Sequence, residues 1–250
     1  MDSKPNFAEI EKRTTKWLQK YLEQSACTGF VIGISGGLDS SVTAILCRRV
    51  SDDTLGLILP CGHTPKDAAP DAHALAEQFN IDYQTYDLTA AYNSLLLALG
   101  LSPETPTTIP LANIKARLRM VALYYEANQH NRLVVGTGNR TEIALGFFTK
   151  YGDGAVDLLP LGALLKREVK GLGAHLGLPE KILNKIPTPG LWPGQTDEGE
   201  LGASYEQLDD LVAGKTPKGL TEAQIAHFNE RIINNEHKRT LPPICPQEPS

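Results

Sequence analysis

Up to about residue 140 the chain alternates between short apolar runs and longer amphipathic stretches, and that order admits few folds. The runs "GFVIGIS" (29–35), "TLGLILP" (54–60), "IDYQTYDL" (81–88) and "RLVVGTG" (132–138) have strand length and are bounded by turn signals. Between them, "SSVTAILCRRV" (40–50), "PDAHALAEQFN" (70–80), "AAYNSLLLALG" (90–100) and "NIKARLRMVALYYEANQ" (113–129) read as helices. An opening helix is marked by Phe7, Ile10, Trp17, Leu18 and Tyr21 at helical spacing. Strands separated by helices connect through right-handed crossovers, so the fold class is α/β, a doubly wound parallel sheet with helices on both faces. Ligands of such sheets bind beyond the carboxyl ends of the strands, where the strand order reverses, which places Ser35, Pro60 and Gly136 near one rim.

After residue 146 the glycine and proline density rises, and "NKIPTPGLWPGQTDEGELG" (184–202) has neither helical nor strand period, which makes it a candidate lid. Helical pattern returns in "SYEQLDDLVAG" (204–214) and "TEAQIAHFNERIINNEHKR" (221–239), ahead of a proline-rich tail, "TLPPICPQEPS" (240–250). No internal repeat, low-complexity tract or linker interrupts the chain, so residues 1–250 are expected to form a single domain. The net charge of -5 argues against bulk nucleic-acid binding, which rests on a basic face. Cys27, Cys47, Cys61 and Cys245 are scattered, without a CxxC pair, which suggests neither a zinc site nor a disulfide framework. The charged opening "MDSKPNFAEIEKRTTKWL" is unlike a signal peptide and no run reaches membrane-spanning length, so a cytoplasmic protein without membrane association is expected.

The most informative local feature is "GISGGLDSS", at the end of the first strand and the start of the next helix. Gly33, Ser35, Gly36, Gly37, Ser40 and Ser41 bring convergent backbone amides and hydroxyl donors to a helix N-terminus, which suits a phosphate or pyrophosphate. The spacing is neither GxGxxG nor GxxxxGK[ST], and the loop has no lysine. Asp39 would repel phosphates unless a divalent cation lay between, so the loop implies Mg²⁺; the plainer reading makes Asp39 a helix cap in a tight turn.

SGGxDS resembles the pyrophosphate loop of the N-type ATP pyrophosphatases. The further motifs "NIKARLRM", "GTGNRTE", "GFFTKYGDG", "LPLGALLKREV", "PTPGLWPGQTDE" and "EHKR", in this order and spanning nearly the whole chain, resemble those of the NAD synthetases. The resemblance implies an adenine nucleotide alpha hydrolase-like, Rossmann-like fold. It also implies ATP-dependent amidation of deamido-NAD with ammonia through an adenylated carboxylate, with ATP as co-substrate and Mg²⁺ as cofactor. By that resemblance Gly33, Ile34, Ser35, Gly36, Gly37, Leu38, Asp39, Ser40 and Thr137 contact ATP, and Glu142 joins Asp39 in holding Mg²⁺. Lys166 and Thr188 would reach the phosphates from outside the glycine loop, so that the missing positive charge arrives only when the site closes. Read alone, Lys166 would be a solvated lysine at a helix start. Pro189 departs from the family pattern, in which alanine is more usual after this threonine.

Arg117, Lys150, Asp157, His237 and Lys238 match deamido-NAD contacts of the family. Phe147, Phe148 and Tyr151 offer rings for the nicotinate, although an aromatic cluster is more often core. The "ARLRMVALYYEA" helix is apolar on more than one face and so needs more than one neighbour. The resemblance makes it the interface of a homodimer that shares the deamido-NAD site. Two rival readings stay open: the same chemistry on nicotinate mononucleotide, and a non-catalytic adenine-nucleotide sensor. No glutaminase domain fits in 250 residues, so ammonia is the expected nitrogen donor.

Overall fold

The computed structural model describes residues 5–62 and 65–245; the end of the proline-rich tail, 246–250, lies outside the described residues. Helix α1 (Phe7–Gln24) starts where the Asn6 side chain accepts the Glu9 amide at 3.2 Å, which satisfies one of the unpaired N–H groups of a first turn. Then β1 (Gly29–Gly33), α2 (Leu38–Arg48), β2 (Thr54–Ile58), α3 (Ala68–Gln78) and β3 (Asp82–Thr85) follow in strict alternation. Helices α4 (Thr89–Ala98) and α5 (Ile109–His130) precede β4 (Arg132–Val134). Asn131, left-handed at φ 54°, ends α5, a conformation that asparagine tolerates better than most residues.

All four strands pair in parallel in the order β3-β2-β1-β4, so the strand order reverses between β1 and β4. Side chains of β1 alternate between faces, as a period of two requires: Phe30 and Ile32 enter one core, Val31 the other. The first core takes in α2, α3 and, further along the chain, α7 (Lys166–Leu176), through residues such as Leu46, Leu75, Val169 and Leu172. The second core joins Leu55, Leu57 and Val134 to the inner face of α5 at Leu123 and Ala127. A sheet covered on both faces is what alternating strands and helices predict. Edge strand β3 differs, with all four residues, Asp82 to Thr85, exposed; polar side chains suit a strand with only one neighbour.

The remaining helices are α6 (Arg140–Leu145), α8 (Glu180–Leu183), α9 (Asp197–Leu201), α10 (Tyr205–Val212) and α11 (Glu222–Asn234). Leu145, Leu201, Leu208 and Phe228 gather α6, α9, α10 and α11 into a smaller core beside the rim. The segment 184–202 is thus not wholly irregular. Its last turn is helical, capped by Thr196, whose side chain accepts the Gly199 amide at 3.1 Å; five residues are too few to show a period. No described helix is long and apolar enough to cross a membrane, and the four cysteines form no disulfide among the described residues.

Candidate active site

The carboxyl ends of β1, β2 and β4 open into a cavity of about 1630 Å³, with Ser35, Pro60 and Gly136 on its wall, as the strand order requires. The glycine loop forms one side. Gly36 has φ +73°, and a Cβ there would lie 2.6 Å from the Ala68 carbonyl oxygen, so both the conformation and the close approach of α3 require glycine. Gly37 stands at the N-cap of α2 without a side-chain cap, leaving the positive end of that helix turned to the cavity. The loop is tightened from within. Ser35 and Ser40 hydroxyls lie 3.0 Å apart, and the Ser41 hydroxyl donates to the Gly37 carbonyl at 2.6 Å.

Asp39, in the first turn of α2, does not serve as a simple cap. Its Oδ1 accepts the Asn139 side-chain amide at 2.9 Å, and its Oδ2 accepts the Lys166 ammonium. Fully buried Asn139 begins α6 with a capping box: its Oδ1 accepts the Glu142 amide at 3.0 Å, and its own N–H donates to Glu142 Oε2 at 3.2 Å. One asparagine therefore orients both acids. Lys166 donates to Glu142 Oε1 at 3.1 Å as well, so a single ammonium bridges the two carboxylates. The lysine expected to wait outside the loop for closure already stands between them. Its position follows from α7, whose first two amides, those of Lys166 and Arg167, donate to the buried carboxylate of Asp209 at 3.1 and 2.8 Å. The same Asp209 accepts the Thr141 hydroxyl of α6 at 2.5 Å. Asp209 thus locks the helix bearing Glu142 to the helix bearing Lys166.

The electrostatics follow the burial. Burial pushes Glu142 up to about 7, against the opposing pull of the Lys166 ammonium. Burial works against the charge on Lys166, but Asp39 and Glu142 outweigh it and hold the ammonium well above its ordinary range. Burial likewise raises Asp197, whose Oδ2 accepts the Tyr205 hydroxyl at 2.7 Å. Tyr205 puts its ring 4.8 Å from the Lys166 nitrogen and its hydroxyl 3.2 Å from Glu142 Oε1.

Thr137 lines the cavity beside Gly136. Thr188 lies on its wall, with a hydroxyl that donates to the Gln195 carbonyl at 2.7 Å and accepts the Gly190 amide at 3.0 Å, so it shapes the 184–202 loop from inside. Arg117, Lys150, His237 and Lys238 also line the cavity. Arg117 donates to the Lys150 carbonyl at 3.2 Å, Lys150 to the His237 carbonyl at 2.5 Å, and Lys238 to the carbonyls of Gly146 and Phe148 at 2.7 and 3.1 Å. Phe147, Phe148 and Tyr151 also face the cavity, with Lys238 over the Phe148 ring at 5.5 Å. Asp157 does not line this cavity. Exposed beside α5, it accepts the Tyr124 hydroxyl at 3.1 Å and the Val134 amide at 2.8 Å.

Sequence reasoning passed over five site residues. Asn139 and Asp197 sit inside motifs already recognised, "GTGNRTE" and "GQTDE", and could have been found there. Lys185 stands two residues before "PTPG" and lies on the cavity wall, 3.4 Å from the Gly36 carbonyl and 2.7 Å from buried Asp71. Tyr205 and Asp209 carry no local signal beyond the start of a helix. Among the described residues no group of three or more His, Cys, Asp or Glu side chains suits a metal; Asp39 and Glu142 offer a two-carboxylate pair.

The NAD synthase family model matches residues 10–242 of this chain. A relative from Carboxydothermus hydrogenoformans named NH(3)-dependent NAD(+) synthetase is 42% identical over 242 residues, covering 96% of this chain and 98% of that protein. Among solved structures, the NMN synthetase from Francisella tularensis superposes with a TM-score of 0.90 at 38% identity, covering 98% of this chain and 100% of that one. The NH3-dependent NAD synthetase from Campylobacter jejuni, solved with a nitrate ion, superposes with a TM-score of 0.80 at 28% identity, covering 97% and 100%.

Proposed function

The chain belongs to the NAD synthase family, and on that premise we propose that it amidates deamido-NAD with ammonia, consuming ATP and releasing NAD, AMP and pyrophosphate. The observation that carries this reading is the convergence of Asp39 and Glu142 on one cation beside an amide-lined glycine loop. Two carboxylates alone bind Mg²⁺ weakly, but with phosphate oxygens and water they complete an ordinary octahedral shell, so these residues fit the ion. When bound, Mg²⁺ neutralises the charge that gathers on the departing pyrophosphate.

The chain's own groups divide the rest of the work. Amides of the glycine loop and the N-terminus of α2 cradle the pyrophosphate, and Lys166 supplies the charge that the loop lacks. Thr137 and Thr188 border the nucleotide, with Lys185 across the loop as a further cation. Arg117, Lys150, His237 and Lys238 face the phosphates and ribose of the dinucleotide. Held there, the substrate carboxylate attacks the α-phosphorus of ATP and expels pyrophosphate. The ammonia lone pair then attacks the acyl carbon, AMP leaves with the bonding electrons, and one proton is released as the amide forms. The cavity, about 1630 Å³, is larger than a single small-molecule site usually is.

A second reading, amidation of nicotinate mononucleotide, is favoured by the likeness to the Francisella tularensis NMN synthetase. One assay tests both: purified protein with ATP, Mg²⁺ and ammonium is offered each acceptor in parallel, and amide product, AMP and pyrophosphate are followed. Stoichiometric NAD, AMP and pyrophosphate from deamido-NAD is the expected result. Preferential turnover of the mononucleotide moves the protein to the second reading, and absence of pyrophosphate with either acceptor leaves the sensor.

The active unit is a homodimer of single synthetase domains paired through α5, where Val121 and Tyr125 are 58% and 62% exposed despite their apolar bulk. Asp157, which stands beside this face and off the cavity wall, serves the dinucleotide only when a second copy is docked. Val121→Glu should therefore give a folded monomer by light scattering, with deamido-NAD affinity reduced at least about tenfold and ATP affinity little changed by calorimetry. A monomer binding deamido-NAD as tightly as the parent excludes the shared pocket.

A further inference from the structure

The position assigned to Mg²⁺ holds the ammonium of Lys166, which touches both Asp39 and Glu142. An ammonium and a divalent ion compete for that pair, because like charges a few ångströms apart in a partly buried site repel strongly. The charge around it is unbalanced. Asp197 is a third carboxylate of this cluster, 6% exposed, with Oδ2 on the Tyr205 hydroxyl and Oδ1 buried without a hydrogen-bond partner. The Lys166 ammonium lies on Asp39 and Glu142, so with Asp197 ionised as well the three carboxyl groups would carry more negative charge than one ammonium balances. An unsatisfied buried carboxylate oxygen is costly, and it stands beside the tyrosine whose ring already carries the Lys166 nitrogen at 4.8 Å. The backbone of Lys166 is pinned by Asp209, so the flexible four-carbon stem is the part able to move.

From this arrangement we infer that Lys166 is a tethered counter-ion which occupies the cation position between Asp39 and Glu142 until a divalent cation displaces it, and that Asp197 is the positioning residue which receives the displaced ammonium. The inference rests on the Mg²⁺ reading above and deepens it. Cation entry and delivery of the lysine to the far side of the site become one event. The positive charge missing from the glycine loop is then presented to the phosphates only when the metal is in place. Asp197 touches no reacting atom; it acts through Lys166.

The test uses Mn²⁺ as the probe, without ATP or any other substrate, and reads binding by calorimetry and by the paramagnetic resonance of the free ion. Parent and variants are compared at one fixed pH. Lys166→Gln removes the internal competitor and should bind Mn²⁺ about tenfold more tightly than the parent, whereas Lys166→Arg, which keeps a cation, should bind about as weakly as the parent. Circular dichroism and thermal melts establish that each variant is folded, and Lys166→Met, which also removes the cation, takes the place of the glutamine variant if that one is not. Asp197→Asn should weaken Mn²⁺ binding about threefold in the parent and leave it unchanged in the Lys166→Gln background, a coupling that a double-mutant cycle isolates.

Equal weakening in both backgrounds would make Asp197 a simple long-range attractor and overturn its acceptor role. Mn²⁺ affinity equal in the parent and Lys166→Gln, while Asp39→Asn still abolishes binding, would overturn the counter-ion role and leave the metal assignment standing. Binding indifferent to both Asp39→Asn and Glu142→Gln would remove the two readings together.

Discussion

Asp39→Asn and Glu142→Gln each lose turnover by about 10²–10³-fold in the adenylation step while remaining folded, the range typical when a group that stabilises transition-state charge is removed. Each replacement is isosteric and takes away one negative charge from the pair that would hold Mg²⁺ against the pyrophosphate. Folding survives because Lys166 keeps the other carboxylate as a partner, so no cation is left buried and unpaired. Asn139 continues to bind whichever partner is unchanged, through Nδ2 to residue 39 or Oδ1 to the amide of residue 142. Pyrophosphate release at ordinary Mg²⁺, with circular dichroism of each variant, is the measurement. Near-normal release in both variants would remove the metal from this site.

The largest effect on stability is expected at Asp209, whose carboxylate anchors the backbone of α7 and the Thr141 hydroxyl of α6. It is fully buried and accepts three hydrogen bonds, from the Thr141 hydroxyl and the amides of Lys166 and Arg167. Asp209→Ala leaves those three donors, two of them on buried residues, without their acceptor and should cost about 3–5 kcal/mol in chemical denaturation. Asp209→Asn, whose single carbonyl oxygen retains part of the set, should cost less. Turnover should fall with stability, since α6 and α7 carry Glu142 and Lys166 and lose their common anchor. An Asp209→Ala variant within about 1 kcal/mol of the parent would show that packing of the small core at Leu145, Leu208 and Phe228 holds the two helices without it.

Much of the frame was legible in the chain. The four strands fall within the four short runs: β1 and β2 read as apolar because a strand buried on both faces must be, whereas exposed edge strand β3 was legible only from its length and the turn signals around it. The helices from α1 to α5 coincide with the longer periodic stretches for the corresponding reason. Short elements were not legible. Helices α6, α8 and α9 have six, four and five residues, fewer than two turns, and their positions are set by caps and by what they pack against. The role of Thr188 was also hidden, since a hydroxyl bonded to the Gln195 carbonyl is a loop brace that no residue pattern announces.

By itself the sequence determined the parallel α/β sheet and the rim at which β1, β2 and β4 end, and it raised the expectation of an anion loop whose Asp39 would call for a cation. These are properties of single segments, where residue type and period act through local backbone geometry. Only the tertiary structure decided which of those segments meet. Lys166 lies 127 positions from Asp39 and 24 from Glu142, yet strand order and the Asp209 anchor put its ammonium between them. It likewise excluded Asp157 from the cavity wall and admitted Asp197, Tyr205 and Lys185 to it. The physical reason is that local pattern reports which face of an element is buried. Which distant side chains share that burial depends on how the elements pack, and only there do desolvation and charge pairing give Asp39, Glu142 and Lys166 a common role.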